Sequence, residues 1–391
     1  MLKLFDIDKL EVGMFVESIA KQVDSMKIKS RGRITSQKVI DQLKKQGIKQ
    51  VVVDLSKRLE SDKPEPEVLK PKKDKSISFD AEINTAAKIY ETGKRVQKDM
   101  FEQVAKNLTI DLSVPSEFTT SLVSSIHRNP DALMCMSKIR EKDSYLLEHS
   151  LNVAILLANF SHQLGLEDHQ VQELALSGFL HDIGKINIPD KILHKPGRLT
   201  DEEMVIMRKH VQFGTDVLLD MEIPSSIIRT IGEHHERLDG LGYPEQRKGA
   251  EISTFGRMIA IADTYDAITA TRCYKAGMPS KKALQILLKD SPVKYDKELV
   301  LQFVKSVGIY PVGTLVKLDN EKLAMVMQQH QVESNKPKIK VFYSVKGSHY
   351  LAPLDVDLAA PTCRLNIVEA VTASDYKIDF NKYFKESIAI T

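Results

Sequence analysis

Cysteine is scarce in this 391-residue chain. Cys135, Cys273 and Cys363 are far apart, odd in number and in no C-x-x-C pair. That argues against a disulfide framework or a thiolate zinc knuckle and fits a reducing compartment. Long apolar runs are missing as well. The best of them, Val153 to Phe160, is far shorter than a membrane span and reads as the buried face of a helix. Met1 to Phe15 carries Asp6, Asp8 and Glu11 where a signal peptide would have its apolar core. A soluble, cytoplasmic protein is expected. Nor does one charge dominate: 56 basic and 53 acidic residues leave a net charge of +3. Bulk nucleic-acid binding needs a larger basic excess, so the balance leaves room only for a local basic site able to hold a few phosphates.

The chain is long enough for two or three domains, and its 42% apolar content can bury sizeable cores. Residues 1–56 read as a small α/β accessory unit. Ser36 can cap a helix carrying Val39, Ile40 and Leu43 that stops near Gly47, and Ile48 to Val53 is a β-branched strand. Residues 57–78, with Pro64, Pro66 and Pro71 among charged residues, read as a linker. Residues 79–128 have a helical pattern, and 129–308 hold successive amphipathic helices with almost no strand-like segment, which predicts an all-α bundle. Within it, Thr200 and Glu203 form a capping-box signature. The helix they open is expected to run through Met204, Met207, Val211, Gly214, Leu218 and Met221. Ile227, Ile228 and Ile231 begin another stripe, and Phe255, Met258, Ile259 and Ala262 give a third. From 309 to 391 the texture turns β-rich, with short strands at Thr314–Leu318, Ala324–Met327, Lys338–Tyr343 and Asn366–Val371.

The chemistry lies in the helical region. His181 and Asp182 are adjacent after an apolar run, and His234 and His235 are adjacent at a helix end. His149 and His210 sit on helices beside apolar neighbours, and Asp263 falls one turn after Ile259 on an inward face. Singly, each is more often a core residue or a chance surface pair. Together they place many ionisable groups inside one bundle, which is costly without a metal. Imidazole and carboxylate together can hold two divalent ions about 3.5–4 Å apart, with one carboxylate bridging. Such a pair polarises a phosphodiester and makes hydroxide available near neutral pH.

The run His181-Asp182-Ile183-Gly184-Lys185, continued by Ile186 and Ile188-Pro189-Asp190, resembles the signature of the HD superfamily of phosphohydrolases. The run from His234-His235-Glu236 through Gly240-Leu241-Gly242-Tyr243-Pro244 resembles the second signature of its HD-GYP branch, as do Lys195 to Thr200, and His210 followed by Gly214. The likeness spans about Tyr145 to Lys275, roughly a third of the chain. It implies a mainly α, HD-type helical bundle acting as a cyclic di-GMP phosphodiesterase through two or three metal ions, and a shell of imidazole and carboxylate without thiolate points to iron or manganese. Carried over by position, His149, His181, Asp182 and Asp263 would hold one ion. Asp182 would bridge to a second, held by His210, His234 and His235. Lys185 would meet a phosphate oxygen, Arg272 and Lys275 would bind the substrate phosphates, and Tyr243 would border the pocket. A metal-bridging hydroxide would attack phosphorus, giving pGpG first and GMP if the site rebinds it. No side-chain nucleophile is needed.

Some members of the branch hold a third ion through a Glu one turn before the first ligand histidine. Tyr145 stands at that position here, so two ions are expected. Glu148 points to another helix face and reads as a solvated or capping carboxylate. Metal ligands read phosphates and not bases, so another cyclic dinucleotide such as cyclic GMP-AMP remains an alternative substrate. A binding module that docks diguanylate cyclases through the Gly-Tyr-Pro turn is the alternative from a different class. The N-terminal module resembles an uncharacterised domain often joined to this branch.

Overall fold

The structure, a computed structural model, describes residues 2–10, 14–22, 32–34, 37–45, 47–54, 77–106, 108, 110–138, 145–219, 221, 223–270, 277–330, 333 and 335–378. The chain divides into two compact units, Met1–Leu69 and Lys70–Thr391. In the first, β1 (Leu2–Asp6), β2 (Phe15–Gln22), β3 (Gly32–Arg33) and β4 (Ile48–Asp54) form an antiparallel sheet in the order β1-β4-β2-β3. Helix α1 (Gln37–Lys45) precedes β4. In β4, Val51 and Val53 are buried two positions apart, as expected of a strand with one covered face, and Ile48 is buried across the irregular stretch of the β2–β4 pairing. Gly47 takes the left-handed conformation just past α1, with φ 74°. The cap expected at Ser36 and the linker residues 57–76 lie outside the described residues.

The second unit begins with α2 (Phe79–Ala105), α3 (Ser113–Arg128) and α4 (Pro130–Met136). Next come α5 (Tyr145–Gln163), α6 (Asp168–Leu180), a 3-10 turn at Ile183–Asn187 and α7 (Asp190–Leu193). The bundle is completed by α8 (Asp201–Arg208), α9 (His210–Leu219), α10 (Ser225–Gly232), α11 (Thr254–Thr269), α12 (Ser280–Asp290) and α13 (Lys297–Val307). α5 is the central element. Its run Val153–Phe160 is buried throughout, and the helix packs against α2, α3, α6, α11 and α13. A helix apolar on every side has to be covered on every side, so the rest of the bundle wraps it. The apolar core continues into an antiparallel sheet of β5 (Leu315–Leu318), β6 (Lys322–Gln328), β7 (Lys338–Ser344), β8 (His349–Asp357) and β9 (Ile367–Ala370), in the order β8-β7-β6-β5-β9. No described helix is long and apolar enough to cross a membrane.

The mainly helical architecture with a small sheet at each end is as expected, with two local differences. The helix opened by Thr200 does carry its capping box: Glu203 N–H donates to Thr200 Oγ1 at 3.3 Å, and Thr200 N–H to Glu203 Oε2 at 2.8 Å. It does not run on to Met221, however, but breaks at Lys209. There the Lys209 N–H donates to the Ile206 carbonyl, tightening the turn, and the Met207 carbonyl accepts from the His210 ring. The first half of the expected stripe therefore stays at the surface, and α8 has no buried residue. The second difference is β8, which the sequence pattern does not announce. It is an edge strand containing Pro353 and exposed along most of its length, so it lacks the apolar alternation of a half-covered strand.

One backbone contact sets the spacing of the region that carries the histidines. The 3-10 turn after Asp182 lies against α9 so closely that a Cβ on Gly184 would sit 2.1 Å from the His210 carbonyl oxygen and 2.3 Å from the Gly214 nitrogen. Both obstacles are backbone and cannot rotate away. A Cβ on Gly214 would be 3.4 Å from its nearest neighbour, Gly184 N, an ordinary contact, and alanine improves helix propensity by up to about 1 kcal/mol over glycine. Urea unfolding should accordingly show Gly184→Ala destabilised by at least about 1–3 kcal/mol. Gly214→Ala should stay within about 1 kcal/mol of the parent. Equal stabilities for the two variants would contradict this packing.

Candidate metal centre

Five elements deliver the ionisable residues to one buried point. α5 supplies His149, and the end of α6 supplies His181 with Asp182 just after it. α9 opens with His210, the turn after α10 carries His234 and His235, and α11 supplies Asp263 and Asp266. All are buried except His235, whose side chain is 26% exposed.

Helix ends orient most of the rings. His181 Nδ1 lies 2.8 Å from the Gly178 carbonyl, His210 Nδ1 2.8 Å from that of Met207, and His234 Nδ1 2.6 Å from that of Ile231. Each carbonyl is three residues back, among the acceptors that a helix terminus leaves over. A carbonyl can only accept, so each Nδ1 carries the hydrogen and each Nε2 of a neutral ring presents a lone pair to the interior. His149 is held similarly, its Nδ1 donating to Asp266 Oδ2 at 2.7 Å.

The inward atoms form two groups, His149-His181-Asp182 and His210-His234-His235, and within each group the possible ligand atoms lie within 4.8 Å of one another. Asp182 faces both. Its Oδ2 is 3.3 Å from His181 Nε2 and 3.7 Å from His149 Nε2, while its Oδ1 is 3.5 Å from His210 Nε2. Asp263 Oδ1 is 2.9 Å from His149 Nε2, and its Oδ2 is 3.7 Å from His235 Nδ1.

This arrangement fits divalent metal on three counts. His210 Nε2 and His234 Nε2 face each other at 3.2 Å with both hydrogens already committed to the far nitrogens. His181 Nε2 and Asp182 Oδ1 are buried with no hydrogen-bond partner. Two lone pairs at contact and two orphaned polar atoms are costly unless a cation lies among them. The donors are imidazole and carboxylate with no thiolate, a set suited to first-row divalent ions.

Burial and neighbouring charge keep the rings ready to ligate. Burial pushes His210 down to about 4, outweighing the nearby Asp182. Burial and the neighbouring rings push His234 well below the usual histidine range. Burial also takes His235 down to about 3, against the pull of Asp263. His149 is the exception. Burial opposes its charge, but hydrogen bonds to Asp263 and Asp266 raise it to about 9. Burial works against the charge on Asp182 as well, yet His181 and Lys185 hold its carboxyl well below the usual carboxylate range. Lys185 Nζ lies 2.5 Å from Asp182 Oδ2. The Tyr243 ring packs 4.6 Å from the His235 ring and 6.4 Å from that of His210, and burial keeps its hydroxyl neutral by raising it above the usual phenol range.

The structure thus brings together His149, His181, Asp182, His210, His234, His235 and Asp263, with Lys185 and Tyr243 beside them. Arg272, Lys275 and the side chain of Tyr145 lie outside the described residues. Glu148 corrects an expectation: it is buried, not solvated, because α5 is covered on that face too. Three contributors went unnoticed in the sequence. Asp266, one turn after Asp263, orients His149. Glu233 is buried and held by Arg229 at 2.8 Å, Arg247 at 2.5 Å and the Ser253 N–H at 2.9 Å, which fixes the turn bearing His234 and His235. Glu236 accepts from the N–H groups of Glu245 at 2.7 Å and Arg247 at 3.1 Å, closing the loop that carries Tyr243. The D-x-x-D spacing on α11 was the available signal for Asp266, since residues one turn apart share a face.

The HD domain family profile matches residues 134–299, and a domain of unknown function (DUF3391) matches residues 2–114. A cyclic di-GMP phosphodiesterase of Pseudomonas aeruginosa is 34% identical over 96% of this chain and 94% of its own length. The chain belongs to the HD-GYP branch of the HD-domain family. Other relatives match over about half of the chain. A cyclic di-GMP phosphodiesterase of Thermotoga maritima is 34% identical over 52% of this chain and 55% of its own length. A 3'3'-cGAMP-specific phosphodiesterase of Vibrio cholerae is 35% identical over 44% of this chain and 37% of its own length.

The Asp266–His149 bond yields a direct check. Outer partners of ligating histidines are typically worth about 10–100-fold in metal affinity. Asp266→Asn should weaken metal binding on that scale, measured by competition with a chelator, while circular dichroism stays native. Unchanged affinity would show that Asp266 does not orient the ring.

Proposed function

We propose that this protein hydrolyses cyclic di-GMP to the linear dinucleotide pGpG, with GMP following if the site rebinds it. The observation that carries the reading is Asp182, whose two carboxylate oxygens face two separate histidine groups within 3.3–3.7 Å. The full-length similarity to a cyclic di-GMP phosphodiesterase supplies the substrate class. Similarity to cyclic GMP-AMP phosphodiesterases over less than half of the chain favours that dinucleotide as the second reading.

In this mechanism His149, His181, Asp182 and Asp263 would hold one divalent ion and His210, His234 and His235 a second, with Asp182 available to both. Iron or manganese suits a shell of imidazole and carboxylate without thiolate. When bound, such ions supply Lewis acidity at the phosphodiester and a nucleophilic oxygen at neutral pH. The chain does the rest. Lys185, half-buried against Asp182, donates to a phosphate oxygen as charge develops on it. Arg272 and Lys275 hold the substrate phosphates, and Tyr243 borders the pocket as a neutral apolar wall. The Gly-Tyr-Pro loop, fixed by Glu236, also offers a docking surface for diguanylate cyclases.

Turnover of cyclic di-GMP by metal-loaded protein, with metal content measured on the same samples, tests the assignment. Wild type should hold two ions per chain and release pGpG. Asp182→Ala should abolish turnover and lower metal content, and near-normal values for both in a folded variant would refute the shared-ligand role. Charge-assisted contacts contribute about 1.5–3 kcal/mol each. Arg272→Ala and Lys275→Ala should therefore keep both ions while apparent affinity for substrate falls about tenfold or more. Unchanged affinity in both would remove them from the phosphate site.

A further inference from the structure

Arg208 is the last residue of α8, two positions before His210. Its guanidinium carbon lies 5.2 Å from the centre of the Tyr243 ring, and that ring in turn packs on His235. Arg208 is thus one aromatic ring away from the metal centre. Among the described residues, Arg229 and Arg247 hold Glu233, Arg237 holds Asp239, and Arg257 holds Asp296. Among the described residues no carboxylate lies within ion-pair distance of Arg208, and its side chain is exposed.

The helix beneath it is unusual. α8 contains Met204, Val205, Ile206 and Met207, yet none of its residues is buried. Met204 lies one turn before Arg208 on the same face and is 37% exposed. Beside Tyr243 there is therefore a partly exposed apolar helix face ending in a cation that has no carboxylate partner among the described residues and is steadied by an aromatic ring. A guanidinium resting on a ring keeps its N–H edges free and planar, ready for a two-pronged acceptor.

A cyclic dinucleotide offers two kinds of acceptor, phosphate oxygens and base edges. The phosphates belong at the metals, beside Lys185. Arg208 is exposed against Tyr243, the ring that packs on His235, so a base passing that ring from the metals would meet it. Guanine presents N7 and O6 on one edge, both acceptors, which matches a donor-only fork. Adenine places an N6 amino donor in the O6 position and meets that fork with a clash of hydrogens. We propose that Arg208, seated on Tyr243, reads the N7 and O6 edge of one guanine of the substrate and biases the site toward guanine over adenine, an inference that rests on the site being a cyclic-dinucleotide hydrolase.

The test compares kcat/KM for cyclic di-GMP and its bis-7-deazaguanine analogue, which keeps the phosphates, the ring shape and O6 but replaces N7 by C–H. Wild type, Arg208→Ala and Arg208→Lys are measured with metal content determined for each. A bidentate arginine–guanine contact is worth about tenfold or more, so wild type should favour cyclic di-GMP over the analogue by about that factor. Arg208→Ala should lose the preference while retaining its metals. Arg208→Lys should resemble Arg208→Ala, because it keeps the charge and loses the fork. Equal losses on both compounds in Arg208→Ala would indicate a phosphate contact and overturn the proposal, as would wild-type discrimination by Arg208→Lys. Failure of wild type to hydrolyse either compound would instead overturn the reading of the site itself, and this proposal with it.

Discussion

The bond from a histidine's outer nitrogen to a fixed acceptor is the interaction on which this site depends. Gly178, Met207 and Ile231 each lend a carbonyl, and Asp266 lends a carboxylate. None of these atoms touches substrate in the proposed mechanism, but each decides which ring nitrogen faces inward. Three are backbone atoms whose position is set by a helix end. Secondary structure thereby becomes coordination geometry: a helix that ended one residue earlier or later would turn its histidine away. The close backbone contact of Gly184 with His210 and Gly214 then sets the distance between the two groups.

Electrostatics follow from the same burial. In a water-filled cleft several of these rings would titrate near neutral pH. In the bundle, burial and mutual repulsion keep His210, His234 and His235 neutral, while the deeply ionised Asp182 and Asp263 remain anionic beside them. The centre is therefore set with neutral imidazoles and charged carboxylates before a cation arrives. His149, gripped by two carboxylates, is instead raised to about 9 and holds a proton that a metal would have to displace.

Much of this was legible in the sequence because the candidate ligands come in adjacent pairs. His181-Asp182 and His234-His235 place two donors at a helix end, and adjacency survives any uncertainty about where the helix stops. Asp266 escaped notice because its role depends on His149, more than a hundred positions away in sequence. Glu233 escaped because, besides Arg229 one turn before it, its partners Arg247 and Ser253 lie beyond the Gly-Tyr-Pro loop. The break at Lys209 was invisible because apolar spacing reports which face is greasy and says nothing about a carbonyl diverted to a side chain. β8 was hidden by its edge position, where neither face imposes an alternation.

The long helix α2 has a consequence for how such proteins are assembled from parts. The match to the accessory family ends at residue 114 and so includes α2, whereas the compact unit containing α2 begins at Lys70. On its buried face, Tyr90 Oη lies 3.2 Å from Asn152 Oδ1, and Gly93 sits against Leu151, both on the helix that carries His149. The inherited module and the folding unit thus overlap by one helix. An ancestor that exchanged its accessory domain at the inherited boundary would have stripped the back wall from α5. Recombination between lineages is constrained accordingly: a new N-terminal partner must bring a helix that fits this catalytic bundle, or join after α2.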